Sequence, residues 1–222
     1  MMTEIYKTIY MKTFSLLFLL IFSTLSFGQN SEQQTVLNDV SEMIMATENQ
    51  KFEAVIDYMH PAIFELVDKN TMKASLQQMS KGNEEFKMEI IPVQKNSLKV
   101  SSVRESKSTE GRRYAFIHYP FQFKMISQKE EFYDILGNLT ERALNIRLQF
   151  NRQRLYPEFV DNYTLLIKTT SMMIGIKDNE TQDSWKYINF DPNHEFLAEI
   201  FSEELFNDAK NYYYDILSLE KQ

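Results

Sequence analysis

The stretch RRYAFIHYPFQFKM at residues 112–125 constrains this chain more than any other. Successive side chains of an extended strand point to opposite faces. Here Ala115, Ile117, Tyr119, Phe121, Phe123 and Met125 share one face, which belongs on a core. The other face is mixed, with Tyr114, Phe116, His118, Pro120, Gln122 and Lys124. A strand of this length needs neighbours on its edges and cover on at least one face. Shorter alternating runs supply the neighbours: residues 86–90, limited by Pro92; residues 98–102; and the pair 163–177 and 185–190, joined by the polar turn DNETQD. Residues 104–111, RESKSTEG, read as a solvated turn.

The cover precedes the strands. Ser31 with Gln34 has the spacing of a capping box, and Val36, Leu37, Val40, Met43 and Ile44 recur at helical intervals. A second helix over 52–58 places Phe52, Val55, Ile56 and Met59 on one side. Pro61 interrupts it, since proline lacks an N–H and disfavours helical geometry at His60, and can open the next turn. A third helix starts near Asn70, carries Met72, Leu76 and Met79, and ends at Gly82. Residues 128–156 carry two patterns, and the apolar stripe Phe132, Leu136, Leu139, Ala143, Ile146 and Phe150 favours an inserted helix over a strand. A helical tail from about Asn193 closes the chain.

Helices followed by antiparallel strands predict an α+β fold, with N-terminal helices packed on a curved sheet and a helix inserted between strands. The N-terminus predicts export. The apolar run FSLLFLLIF follows Lys12 and precedes small residues, so residues 1–28 read as a cleavable signal peptide and 29–222 as a single domain. The run is too short to span a bilayer, which takes about 20 residues. With no cysteine there is no lipid attachment by the lipoprotein route, so a secreted or periplasmic protein without a stable membrane anchor is expected. Cleavage would remove Glu4, Lys7 and Lys12, leaving 194 residues at −8.

The same inventory narrows function. A formal charge of −7, with no block of five like charges, gives no basic footprint for nucleic acid. The absence of cysteine excludes thiol nucleophiles and disulfides. Only three histidines occur, far apart, and no short cluster offers a metal site. With five glycines and no phosphate-loop or nucleophile-elbow pattern, no cofactor is expected.

Two segments, IGIKDNETQDSWKYINF (174–190) and FEAVIDYMHPAIFELV (52–67), resemble the closing hairpin and the helix–proline–helix entry of exported nuclear transport factor-like (SnoaL-like, cystatin-like cone) domains. The resemblance implies a cone-shaped pocket between helices and sheet, without implying a reaction. Its ligand-pocket candidates are Tyr58, His60, Tyr119, Phe121 and Phe123. Asp57 is considered as a base, but it neighbours Tyr58 on a helix and faces another way, and no catalytic residue is assigned. Tyr114, Phe116 and His118 are candidates for an exposed aromatic interface, with coverage by the C-terminal helix as the competing reading. The expected function is non-enzymatic binding of a small apolar ligand or a partner protein. Alternatives are a proton-transfer enzyme in the same cone, and an envelope scaffold; a homodimer is possible.

Overall fold

The computed structural model describes residues 31–129, 131–132, 155–193 and 197–219. Helix α1 occupies 31–48, followed by α2 (Phe52–Tyr58), α3 (Ile63–Leu66) and α4 (Lys69–Lys81). The strands are β1 (Phe86–Ile90), β2 (Lys99–Val100), β3 (Arg104–Glu105), β4 (Arg113–Ser127), β5 (Tyr156–Asp161), β6 (Thr164–Lys177) and β7 (Lys186–Asn189). Helices α5 (Leu197–Ile200) and α6 (Glu203–Leu219) follow.

The strands form one seven-stranded antiparallel sheet built on two long central members, β4 and β6, which pair from Arg113↔Lys177 to Ile126↔Thr164. Three short strands share the outer edge of β4: β1 against 123–127, β2 against 117–118 and β3 against 113–114. The outer edge of β6 carries β5 as far as Lys168 and β7 from Met173 onward. Thr169–Met172 therefore lies in a break between two edge strands.

Both faces of the sheet are covered. Ala115, Ile117, Tyr119, Met173 and Tyr187 pack against Val36, Val40 and Met43 of α1 and Val55 of α2. Val36, Val40 and Ile117 are wholly buried, each contributing about 1.5–3 kcal/mol of transfer free energy. On the opposite face, Tyr114, Phe116, Met172, Ile174 and Ile176 meet Leu205, Ala209 and Ile216 of α6. Those α6 residues fall at helical spacing, which is why one side of that helix seals the sheet. At the far end Phe132, Leu165 and Ile167 form a third cluster with Phe86, Phe123 and Met125.

The structure has the expected helices, antiparallel sheet and C-terminal helix, with local differences. Gln34 donates forward to Asn38 at 3.0 Å rather than back across the helix start. Helix α4 is capped by Asp68, whose carboxylate accepts from the N–H groups of Asn70 and Thr71, both at 3.0 Å. Of its three expected apolar anchors, Leu76 packs on the core while Met79 is exposed. The tail breaks at Phe201–Ser202, where the Ser202 hydroxyl accepts from the N–H of Leu205 and starts α6 afresh. Strand β5 was not anticipated. It carries Pro157 and is exposed at every position, as suits an edge strand. The expected signal peptide and nearly all of the expected inserted helix lie outside the described residues. No helix among the described residues is long and apolar enough to cross a membrane.

Candidate functional site

The break in the β6 edge opens a cleft of about 240 Å3. Its apolar wall is formed by Phe121, Leu155, Met172, Phe190 and Tyr213, and its polar wall by Thr169, Thr170, Ser171, Asn189, Asp191 and Asn193. Each part has a local cause. Strand β7 ends at Asn189, and the Phe190 N–H then bonds the Met172 carbonyl at 2.8 Å, turning the chain across the end of the ladder. Phe190 meets Tyr213 of α6 edge to face, with centroids 6.1 Å apart. Asp191 accepts from the Asn193 N–H at 2.9 Å and from its side-chain amide at 3.0 Å, a turn that fixes the carboxylate at the rim. An apolar floor with convergent hydroxyl and amide groups is the usual make-up of a small-molecule site. No Lys or Arg is among the described lining residues.

A wider depression of about 660 Å3 sits beside the start of α6, where Arg104, Asp208 and Glu204 are already engaged. Arg104 pairs with Asp208 at 3.0 Å, and Asp208 also accepts from the Tyr114 hydroxyl at 2.8 Å. The Glu204 carboxylate accepts from the N–H groups of Lys107 and Ser108 and from the Ser106 hydroxyl. Hydrogen bonds from Ser108 and Lys107 hold Glu204 down at about 2. These contacts fasten α6 to the loop preceding β4.

A third locus is buried. Arg112 and Asp178 form an ion pair at 2.7 Å with side chains only 8% and 6% exposed. Asp178 also accepts from the Thr181 N–H at 3.1 Å, which closes the turn between β6 and β7. Against this pair lies His60, 1% exposed, with a ligating atom within 4.8 Å of the carboxylate oxygens of Asp178 and Glu180. Its Nδ1 accepts from the Ala62 N–H at 3.3 Å, and its Nε2 has no partner among the described residues. Burial pushes His60 down to about 4, with Asp178 opposing and Arg112 reinforcing the shift.

The donor set does not suit a metal. A metal on Nε2 needs that lone pair, which moves the ring proton to Nδ1 and sets it against the Ala62 N–H. Arg112 already supplies the cation that Asp178 requires. The sequence showed no metal cluster, and these groups meet only because the α2–α3 corner docks on a distant turn.

The five ligand-pocket candidates do not converge on one cone. Tyr58 is half-buried and donates to Glu42 at 2.7 Å. Burial first, then Glu42, pushes its phenol up to about 12. Tyr119 is buried within the cluster under α1. Phe121 packs on the margin of that cluster and reaches the cleft, Phe123 belongs to the far-end cluster, and His60 sits at the β6–β7 turn. Asp57 is exposed, and its carbonyl accepts from Lys186 at 2.5 Å. The interface candidates are corrected as well. Tyr114 and Phe116 are 2% and 0% exposed beneath α6, and His118 meets the Tyr212 hydroxyl through Nδ1 at 3.1 Å. The aromatic strand face is thus covered by the chain's own helix.

Sequence reasoning missed Asp39, which accepts from the buried Tyr187 hydroxyl at 3.0 Å. Burial raises the Asp39 carboxyl, and the Tyr187 bond partly offsets this. It also missed the cleft residues Phe190 and Asp191. The signal available was FDPN at 190–193, an aromatic followed by strong turn formers directly after a strand. This chain matches no family model, no curated protein and no solved structure.

Proposed function

We propose that this protein is an exported, non-enzymatic domain that binds a small, largely apolar ligand in the cleft beside β6. The observation that carries this reading is the meeting of Phe121, Met172, Phe190 and Tyr213 with hydroxyl and amide groups around a half-enclosed space. The nuclear transport factor-like resemblance and the signal peptide belong to the same proposal, and the ligand seat is moved from a central cone to the sheet edge.

Proton-transfer chemistry has less support. Three titratable pairs are committed to one another: Tyr187 to Asp39, Tyr58 to Glu42 and Asp178 to Arg112. None of these groups lines the cleft, and Asp191, the carboxylate at its rim, accepts from the Asn193 N–H and side-chain amide. A general base must reach the proton that it takes.

Native mass spectrometry of protein purified from its own host tests the proposal. The expected result is a retained small molecule, lost or much reduced in a Phe190→Ala, Tyr213→Ala double variant that keeps the wild-type circular dichroism. Retention unchanged in the variant, or no retained mass, would count against it.

A further inference from the structure

The His60 locus joins the α2–α3 corner to β7, beside the Lys186 bond to the Asp57 carbonyl and the Tyr58–Tyr187 ring contact, with centroids 6.4 Å apart. Strand β7 is an edge strand of four residues, ladder-bonded to β6 on one side. On its other side stands a single parallel bridge, Met59↔Tyr187, with the His60 N–H donating to the Tyr187 carbonyl at 3.0 Å. The corner that makes this bridge is held by the imidazole. The Ala62 N–H donates into Nδ1, which fixes the neutral ring with its proton on Nε2. A second proton can enter only at Nδ1. There it removes the acceptor, opposes two donors and places a charge in a buried position.

We propose that His60 is a proton-operated latch: its protonation releases the Met59–Ala62 corner from the edge of β7. The charged groups facing the ring are Arg112, at the start of β4, with Asp178 and Glu180 from the β6–β7 turn. Arg112 opposes protonation, and Asp178, already bound to Arg112 and Thr181, compensates only in part. In the released corner the imidazole regains its ordinary affinity near 6.5.

The sign follows from the difference in proton binding. Between about 4 and 6.5 the released state binds a proton that the latched state does not. Lowering pH through this window favours release, by up to about tenfold for each pH unit below 6.5. Above the window the latch is indifferent to pH.

Amide hydrogen exchange provides the test. After correction for intrinsic exchange, protection of the His60 N–H should fall about fifteen-fold in all from pH 6.5 to 5 and stay nearly flat from 8 to 7. Fluorescence of Trp185, buried beside β7 and the chain's single tryptophan, should change over the same range. His60→Asn keeps an acceptor for the Ala62 N–H but cannot titrate, and should lose the pH dependence. Imidazole nitrogen shifts in the unaltered protein supply a readout that needs no variant: an Nε2–H tautomer at pH 7, titrating well below 6.5. A midpoint at or above 6.5, pH-independent protection, or the same acid response in His60→Asn would each overturn the latch.

Discussion

Arg112 and Asp178 show how a few side chains set local stability without being legible in the sequence. Their pair is almost sealed from water, so each ion depends on the other for the solvation it has lost. Arg112→Met should cost about 3–5 kcal/mol in urea unfolding, because it strands a buried carboxylate. Arg112→Met with Asp178→Asn should recover much of that loss, since asparagine still accepts from the Thr181 N–H and brings no charge. A double variant as unstable as the sum of both singles would show that the two residues act independently. In the sequence Arg112 opens the long strand directly after a solvated turn, and Asp178 and Glu180 lie in the polar turn DNETQD. Only the return of β6 alongside β4 places Lys177 opposite Arg113 and brings those turns together. Single-residue chemistry of this kind depends on register, which periodicity does not specify.

Elements were legible where periodicity is strong and hidden where turn chemistry governs. The alternation over 112–125 predicts β4, and both of its faces are buried over their first half. The α2 spacing likewise places Phe52, Val55 and Ile56 in the interior. Strand β5 escaped detection because its apolar residues Tyr156, Phe159 and Val160 do not alternate and are all exposed. Gly82, expected to end α4, does so at φ 74°, ψ −160°, a region that is essentially glycine's own. A Cβ there would lie 2.3 Å from the Phe86 carbonyl oxygen and 2.8 Å from the Lys87 Cα, both backbone atoms. Gly111 has the same φ, but no atom of the described residues lies within 4 Å of a Cβ. Gly82→Ala should therefore destabilise by about 2 kcal/mol or more and Gly111→Ala by about 1 kcal/mol, measured by urea unfolding. Equal losses would mean that the close approach to β1 does not contribute.

For the whole molecule, the α+β order of elements could be read in advance, whereas cover of the second face by the C-terminal helix was one of two readings left open. Tyr114, Phe116 and His118 were legible as an aromatic surface, but whether that surface meets water or α6 depends on where the tail returns. The cleft was hidden for a related reason. It is formed by the gap between two strands sharing one edge of β6, closed by a ring from α6, and no local pattern encodes such a gap. Strand β7 links the two loci: its start adjoins the His60 corner and its end runs into Asn189 and Phe190 of the cleft wall. The most direct check on where ligands enter is NMR shift mapping with a mixture of small, weakly polar fragments. Perturbed amides should cluster at 169–172, at 189–191 and at Tyr213. Perturbations centred on Tyr58 and Tyr119, beneath α1, would contradict the assignment and return the binding seat to the opposite face of the sheet.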